Sequence, residues 1–343
     1  MESFGIYTLA NDVVYDQLVA LLNSIEVNVS PDIPICIIPY DERLDRVKQE
    51  INSRKNVTLY ENRESIQRWD NFAEQVWAAH PAAKQMTTSY NAWFQSPLLR
   101  KLCVFDGYFD KFVFYDADSL AMKPLDNVLE RLETYDFIFD DWEHKKSTKD
   151  AALDLNLIEQ SGLYQEKYVR DKLHCSSFFG SKKGIFSSSE IESMQQLLIK
   201  KDEIKWVPRL WDDAFLFNYM TLRCNRPIFN YTLSPNGQER TGNCANADPF
   251  VNINNVLYNK DGLKPIYRLH YMSYSAIDFA HLSQGEDVNI RYKDEFLYYR
   301  FLKQPEQRPK ELKPPSLLTR TNRFINRKIK RIQKIIDLRI NAI

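Results

Sequence analysis

The amino-acid sequence predicts an α/β protein built around a mainly parallel, doubly wound β-sheet. Its first 60 residues alternate between short apolar runs, typical of buried strands, and longer stretches in which apolar residues keep helical spacing. Strand–helix–strand repetition of this kind favours a parallel sheet with helices on both faces. A further apolar strand in mid-chain, which ends in two aspartates, continues the pattern. Because such sheets bind ligands at the carboxyl ends of their strands, the sequence also predicts where the functional site lies.

The N-terminal part of the predicted sheet alternates strictly between strand and helix. An opening strand at residues 4–9 is followed by Asn11 and Asp12, either of which can cap a helix running to about Ile25. The apolar positions of this helix are Val14, Leu18, Leu21, Leu22 and Ile25. The next predicted elements are a strand at 33–38, a helix at 41–51 and a strand at 57–60.

The remaining elements continue the alternation less regularly. We expect helices at residues 96–105, from Pro124, at 187–200 and at 211–222, and strands at 111–115, 135–139, 174–179 and 265–271. The charged stretch 140–172 predicts short helices in an insertion. Proline-rich residues 304–315 are typical of a linker, so we predict one domain at 1–303 and a separate basic helix at 316–343.

Composition excludes several classes of protein. The 46 basic residues balance the 46 acidic ones, and a net charge of zero argues against a nucleic-acid binder. Only nine glycines are present and no two form GxG, so the glycine-rich nucleotide-binding loops are absent. The five cysteines are widely spaced, which favours neither a disulfide framework nor a zinc site. With no visible signal peptide or long apolar run, we expect a cytoplasmic protein, soluble or bound to a membrane from that side.

The central motif is the strand at 111–115 followed by Asp116-Ala117-Asp118. Residues i and i+2 of an extended strand share a face, so a slight turn lets both carboxylates reach one ion. Oxygen ligands favour Mn²⁺ or Mg²⁺, and such an ion could bridge the oxygens of a diphosphate in place of a glycine loop. His270, at the end of the late strand, supports this interpretation because imidazole is a common Mn²⁺ ligand. A turn-capping aspartate pair and a core histidine remain the structural alternatives.

These motifs resemble those of glycosyltransferase family 8, the glycogenin-like and lipopolysaccharide galactosyltransferase-like nucleotide-diphospho-sugar transferases. The resemblance covers about residues 4–275 and depends on TLAND near the start, FVFYDADSL in the middle and LHYMSY late in the chain. It implies a single GT-A-type domain, a UDP-sugar donor and transfer with retention of anomeric configuration. In that family two aspartates and a late histidine hold Mn²⁺ on the diphosphate, and these roles fall on Asp116, Asp118 and His270.

The same resemblance implies further site residues. The predicted contacts with the nucleoside and donor are Leu9, Ala10, Asn11, Tyr15 and Ala117. The family's basic residue ahead of the D-x-D strand contacts the diphosphate or donor sugar, and Arg100 stands at the matching distance. An acidic segment near the donor sugar matches Asp212 and Asp213, although its middle amide is missing here. From the residues alone, Arg100 and Lys101 could equally form a solvated helix face, and the two aspartates the first turn of a helix.

Two other functions remain open, together with the acceptor. A phosphatase of the haloacid dehalogenase type carries its nucleophile in a strand-D-x-D motif, but that motif normally closes the first strand, whereas three predicted strands precede it here. A catalytically inactive sugar-nucleotide-binding scaffold would keep the fold without turnover. For the transferase we expect a glycan or lipid-linked acceptor.

The C-terminal tail differs in charge from the rest of the chain. Residues 313–343 hold nine basic residues and one acidic residue, which leaves 37 basic and 45 acidic residues in 1–312. Its isoleucines fall on one helical face at Ile325, Ile329, Ile332, Ile336, Ile340 and Ile343, and the opposite face is basic. This pattern predicts a helix that binds an anionic membrane surface; docking on the domain and pairing with a partner helix are the alternatives.

Overall fold

The computed structural model describes residues 2–84, 96–208 and 213–315. In chain order its strands are β1 (Phe4–Ala10), β2 (Ile35–Pro39), β3 (Val57–Leu59), β4 (Lys111–Asp116), β5 (Ser119–Ala121), β6 (Phe137–Phe139), β7 (Phe178–Lys182), β8 (Ile228–Asn230), β9 (Phe250–Ile253), β10 (Val256–Asn259) and β11 (Arg268–His270). Within these residues a central sheet has the order β3-β2-β1-β4-β7-β6-β8, and β9 pairs with β10 and β5 with β11 outside it.

The central sheet is mainly parallel, as predicted. β1 runs parallel to both β2 and β4, β2 to β3, and β6 to β8. Only β7 runs against its neighbours, between β4 and β6. The strand predicted at 174–179 starts too early, since β7 begins at Phe178. Residues 174 and 175 bond instead to side chains, with the backbone N–H groups of His174 and Cys175 donating to Asn218 and Asp141.

Helices flank the sheet along the whole described chain. They are α1 (Tyr15–Asn28), α2 (Asp45–Asn52), α3 (Arg63–Ala79), α4 (Ser96–Leu99), α5 (Asp126–Arg131), α6 (Leu155–Gln160), α7 (Glu166–Arg170), α8 (Ser188–Lys200), α9 (Asp213–Cys224), α10 (Ala276–Ser283) and α11 (Lys293–Arg300). Asn11 caps a 3₁₀ turn at Asp12–Val14 that leads into α1. Ser187 and Glu190 form a capping box at α8, the helix predicted at 187–200.

Several elements differ from the prediction or were not predicted. The helix expected at 96–105 is α-helical only in α4 and continues as the 3₁₀ helix Arg100–Asp106. The helices α3, α10 and α11 were not predicted. Also unpredicted was the hairpin β9–β10, whose turn residues Asn254 and Asn255 have φ values of 54° and 66°. Positive φ at both central residues is typical of a type I′ hairpin, a conformation that asparagine tolerates well.

The central sheet is buried on both faces. Successive residues of each strand point to opposite faces, and both sets pack in apolar clusters. In β1, Tyr7 and Leu9 pack in a cluster with α3, α8 and α9, whereas Ile6 and Ala10 pack in a cluster with α1, α2 and α5. A third cluster joins β5, β11, the hairpin, α10 and α11. The β5–β11 pair therefore connects the D-x-D strand to the C-terminal part of the described chain.

The segment predicted as a linker contacts the domain near its end. The N–H of Lys313 donates to the carbonyl of Gly285 (2.8 Å), and the N–H of Asp287 donates to the carbonyl of Lys313 (2.7 Å). The predicted helix at 316–343 lies outside the described residues. Among the helices in the described part of the chain, none combines the length and apolar character needed to cross a bilayer.

Candidate active site

Asp116, Asp118 and His270 meet at the carboxyl edge of the sheet. Asp116 is the last residue of β4 and pairs with Leu9 of β1 in the parallel register. Asp118 follows two residues later, immediately before β5, and its carbonyl accepts from the N–H of Tyr271 (2.9 Å). The antiparallel pairing of β5 with β11 sets His270 opposite Ser119. This pairing brings the late histidine to the D-x-D motif.

Asp116, Asp118 and His270 form a cluster that can hold a metal ion. Their potential ligand atoms all lie within 4.8 Å of one another. Nε2 of His270 is 3.4 Å from Oδ1 of Asp118, and the His270 side chain is buried while both aspartates are half-buried. Two carboxylates and one imidazole suit Mn²⁺, which accepts oxygen and nitrogen ligands. The donor set therefore fits the ion that the sequence predicts.

The two aspartates differ in their electrostatic environment. Burial raises the pKa of Asp116, and the charge of Asp118 adds to this, so the pKa stays raised although Lys101 opposes it. Burial also acts to raise the pKa of Asp118, but the neighbouring His270 outweighs it and the pKa is lowered. Asp118 is therefore the carboxylate that stays ionised more readily.

Lys101 is the basic residue that contacts the D-x-D motif. Its side chain is almost fully buried, and Nζ lies 2.9 Å from Oδ1 of Asp116 and 2.5 Å from Oδ2 of Asp213. Burial acts to lower the pKa of Lys101, but the two carboxylates outweigh burial and raise it, so the ammonium remains charged. A solvated helix face, which was one alternative for Arg100 and Lys101, is wrong for Lys101.

Arg100 is bonded to groups outside this cluster. Its guanidinium pairs with Asp70 of α3 (2.7 Å) and donates to the carbonyl of Tyr40 (3.0 Å). Within the described residues no hydrogen bond joins Arg100 to Asp116 or Asp118. The structure thus brings Lys101, rather than Arg100, to the D-x-D motif. The only sequence signal for this choice was the position of Lys101 next to Arg100.

Asp213 belongs to the same cluster through Lys101. It is the first residue of α9, and it accepts a hydrogen bond from Ser176 as well as the contact with Lys101. Asp212 lies outside the described residues. Asn218, further along α9, holds the preceding segment in place, because its side chain bonds to both the N–H (2.9 Å) and the carbonyl (2.6 Å) of His174.

Residues 174–177 connect the D-x-D strand to α9. The carbonyl of Ser177 accepts from the N–H of Asp116 (2.9 Å), and Oγ of Ser176 lies 3.3 Å from Nζ of Lys101. His174 stacks on Phe139 with 3.9 Å between ring centroids and bonds through Nε2 to Thr221 (2.8 Å). Burial lowers the pKa of His174 to about 3, so the ring is neutral. Neither strand nor helix periodicity predicts such a segment.

The predicted nucleoside contacts extend from the last two residues of β1 to the first residue of α1. Leu9, Ala10 and Asn11 are all buried. The amide of Asn11 donates to Asp41 (2.9 Å) at the end of β2 and accepts from the N–H of Val13 (3.0 Å). Tyr15 is half-buried, and its hydroxyl donates to Glu50 of α2 (2.9 Å).

Ala117, between the two aspartates, is 6% exposed. Its small side chain is compatible with close packing at the D-x-D turn. Ala117 thus lies at the predicted site, and its burial alone does not indicate a role.

Comparison with protein-family models and with curated protein sequences yields no match. Among solved structures, the chain is similar to the apo form of WbbM, a bifunctional glycosyltransferase, with a TM-score of 0.52 and 13% identity. That match covers 90% of this chain and 52% of WbbM, so the chain spans about half the length of that relative. Similarity to mouse xyloside xylosyltransferase 1 is weaker (TM-score 0.49, 8% identity, 66% of this chain and 84% of that one). So is similarity to the galactosyltransferase LgtC in complex with donor and acceptor sugar analogs (TM-score 0.47, 12% identity, 86% and 95%).

The likeness to WbbM shows that the chain has a glycosyltransferase fold of the GT-A type. The fold implied by the sequence resemblance is therefore confirmed. At 13% identity this likeness concerns the fold alone. Any activity has to be argued from the residues at the carboxyl edge of the sheet.

Proposed function

We propose that this protein is a metal-dependent glycosyltransferase that moves a sugar from a nucleotide diphosphate, a UDP-sugar, to a hydroxyl group of a glycan or lipid-linked acceptor. The proposal is carried by one observation: Asp116, Asp118 and His270 converge at the carboxyl edge of a sheet with a glycosyltransferase fold. Asp116 ends β4 and Asp118 lies in the turn before β5, whereas His270 ends β11, more than 140 residues later in the chain. Only the β5–β11 pairing brings them together.

Asp116, Asp118 and His270 are the residues that would hold a divalent ion, for which we propose Mn²⁺. When bound, such an ion supplies positive charge that offsets the charge gathering on the diphosphate as the sugar leaves. The need for it follows from composition, since residues 1–312 hold 37 basic and 45 acidic residues. An acidic body repels a diphosphate unless cations lie at the binding site.

Lys101 provides a second positive charge at this edge. An ammonium group has three N–H donors, and two of them are directed to Asp116 and Asp213. Nζ also lies 3.3 Å from Oγ and 3.4 Å from the carbonyl oxygen of Ser176, so the ammonium would act on the donor through its charge and stabilise negative charge as the bond to the sugar breaks. In this proposal Lys101 takes the place predicted for Arg100, because the guanidinium of Arg100 is already bonded to Asp70 and to Tyr40.

Asp213 is the carboxylate we assign to the donor sugar. Asp213 and Asp116 both contact the Lys101 ammonium, so a sugar whose diphosphate is bound near Asp116 would lie within reach of Asp213. A carboxylate there can accept from a sugar hydroxyl and stabilise the oxocarbenium-like transition state. We assign the same role to Asp212, its neighbour in sequence. The resemblance to family 8 supports transfer with retention.

The nucleoside would occupy the adjoining edge of the sheet, after β1. Leu9, which pairs with Asp116, begins this surface, and Ala10, Asn11 and Tyr15 continue it. Asn11 is held by Asp41, so its amide is oriented before a nucleoside binds. Preorganisation of this kind reduces the entropy lost on binding.

We also propose where the protein acts. The basic helix predicted at 316–343 would hold a cytoplasmic protein against an anionic membrane surface, since its charge is opposite to that of residues 1–312. A lipid-linked acceptor would be presented at the same surface. No nucleic acid is part of this proposal.

The decisive test is a screen of UDP-, GDP- and TDP-sugars for Mn²⁺-dependent hydrolysis and for thermal stabilisation of the full chain. We expect a UDP-sugar to give both effects, and chelation of the metal to remove turnover. Release of phosphate from a simple monoester would instead support a phosphatase. Binding measured by calorimetry without turnover on any acceptor would support an inactive scaffold.

A further inference from the structure

Behind the proposed metal site lies an ion pair that is removed from solvent almost completely. Nη2 of Arg268 is 3.1 Å from Oδ1 of Asp140, and both side chains are 1% exposed. Nε and Nη1 of Arg268 and Oδ2 of Asp140 make no hydrogen bond to any group in the described part of the chain. A buried pair with so few bonds does little for stability, because desolvation of the two charges offsets their attraction. Its presence calls for a different explanation.

The position of Arg268 suggests that explanation. Arg268 is the first residue of β11 and His270 is the third, so their side chains share one face of the strand. β11 is only three residues long, and it lies outside the central sheet, paired with β5. Such a short strand needs further contacts to hold its orientation. The bond from Arg268 to Asp140 ties it to the end of β6 in the central sheet.

A second connection joins Asp140 to His270 through Asn243. The side-chain amide of Asn243 donates to the carbonyl of Asp140 (2.8 Å), and the carbonyl of Asn243 accepts from the N–H of His270 (2.7 Å). His270 is thus linked to Asp140 through Asn243 on one side and through Arg268 on the other. Both links end at Asp140, which directly follows β6 of the central sheet.

Arg268 also contributes charge where the carboxylates need it. Its positive charge acts on both Asp116 and Asp118. Two neighbouring carboxylates repel each other, and a fixed cation behind them reduces that repulsion without occupying the ligand positions. Metal ligands that neighbouring residues hold and polarise bind their ion more tightly than ligands without such neighbours.

We propose that Arg268 and Asp140 are positioning residues for the metal site: they hold β11 so that His270 faces Asp118, and Arg268 places a positive charge near the aspartates. This inference rests on the proposed function, because it assumes that Asp116, Asp118 and His270 bind a divalent ion. Arg268 itself is not a ligand, and Asp140 contacts the site only through Arg268 and Asn243.

The test is the affinity of the full chain for Mn²⁺ alone, measured by electron paramagnetic resonance of the free ion without any nucleotide sugar. Arg268→Met and the isosteric Asp140→Asn should each weaken Mn²⁺ binding by about 10- to 100-fold, the usual effect of losing a residue that orients a ligand. The double variant R268M/D140L removes both charges, so it should fold as stably as the original chain and still bind Mn²⁺ weakly. A purely structural role would not separate stability from affinity in this way.

Arg223→Met is the matched control. Arg223 pairs with Glu203 and both are largely buried, but Arg223 lies at the opposite end of α9 from Asp213. This variant should lose stability and keep its Mn²⁺ affinity. Unchanged Mn²⁺ affinity in Asp140→Asn and in the double variant would overturn the inference while leaving the metal site intact. Failure of the original chain to bind Mn²⁺ would overturn the metal site and, with it, this inference.

Discussion

The ammonium group of Lys101 lies 2.9 Å from Oδ1 of Asp116, one of the three residues able to hold a metal ion. A divalent ion and the lysine would therefore share one carboxylate, each using one of its two oxygens. Lys101 in turn reaches Asp213, so this single buried cation links the metal end of the site to the end we assign to the donor sugar. The effects expected on replacing Lys101 follow from this arrangement.

Asp118→Ala should abolish most metal-dependent turnover of the nucleotide sugar. Loss of a metal ligand removes the charge that stabilises the leaving diphosphate, and we expect kcat/KM to fall by at least about 100-fold. The measurement is hydrolysis of a UDP-sugar at saturating Mn²⁺. Asp110→Asn is a suitable control, because Asp110 lies next to the opposite end of β4 and bonds to Ser3. Intact turnover in D118A would show that the site assignment is wrong.

Lys101→Met should separate catalysis from metal binding. Without the ammonium we expect kcat to fall by about 100-fold or more, since a buried charge-stabilising donor is lost. Mn²⁺ affinity should not fall, because a competing cation has left Asp116. Kinetics and metal titration of the same preparation test both statements.

The variant K101M leaves Asp116 and Asp213 without their counter-charge, so a folding control is needed. The double variant K101M/D213N reduces the uncompensated negative charge and should recover stability but not kcat. If K101M lost Mn²⁺ affinity and kept its kcat, the proposed role of Lys101 would have to be given up.

His174 should make the protein less stable in acid. Its pKa is about 6.5 in the unfolded chain, whereas burial lowers the pKa to about 3 in the folded protein. The unfolded state therefore takes up a proton first as pH falls. The stabilising contribution of the neutral ring is complete above pH 6.5 and is lost progressively down to about pH 3. Between these values the free energy of unfolding should fall by about 1.4 kcal/mol per pH unit because of this group.

Urea unfolding of the original chain and of His174→Gln, at intervals from pH 7 to pH 4, measures this contribution. Glutamine cannot take up a proton in this range, so the variant should lack that part of the pH dependence. The difference in stability between the two proteins should shrink as pH falls. A difference that is constant with pH would contradict a buried neutral His174.

Removal of residues 316–343 should reduce binding to anionic membranes. The tail from residue 313 carries nine basic residues and one acidic residue, and each basic residue near such a surface contributes about 1 kcal/mol. Co-sedimentation with phosphatidylglycerol vesicles compares the full chain with a chain ending at Pro315. A full-length variant with glutamine at Arg323, Arg327, Lys330 and Lys334 keeps the isoleucine face and tests the charge alone. Equal pelleting of all three proteins would contradict the membrane proposal.

Local sequence patterns were sufficient to predict the sheet and its binding edge. Strands β1, β2 and β4 are continuous apolar runs because both faces of the sheet are covered, and such runs are visible without knowing their partners. The D-x-D motif could be placed for the same reason, since it directly follows one of these runs. The helix α3 was not predicted, although Trp69, Phe72 and Val76 keep helical spacing.

Local sequence pattern could not decide which residues face the site. Whether Arg100 or Lys101 faces the D-x-D motif depends on the turn from α4 into a 3₁₀ helix, in which each residue rotates further than in an α-helix. The strand predicted at 174–179 is not formed at residues 174–177. Their backbone instead follows side chains of Asp141 and Asn218, which lie elsewhere in the chain.

Local sequence pattern was enough to establish the layered α/β architecture, the two aspartates at and just after the end of β4, and the uneven distribution of charge between residues 1–312 and the tail. These features depend on neighbours along the chain, through the periodicity of apolar residues and through composition. Only the tertiary structure decided that His270 meets Asp118, that Lys101 bridges Asp116 and Asp213, and that Arg268 pairs with Asp140. Each of these contacts depends on the pairing or crossing of separate elements, and that is set by packing of the whole chain rather than by any local segment.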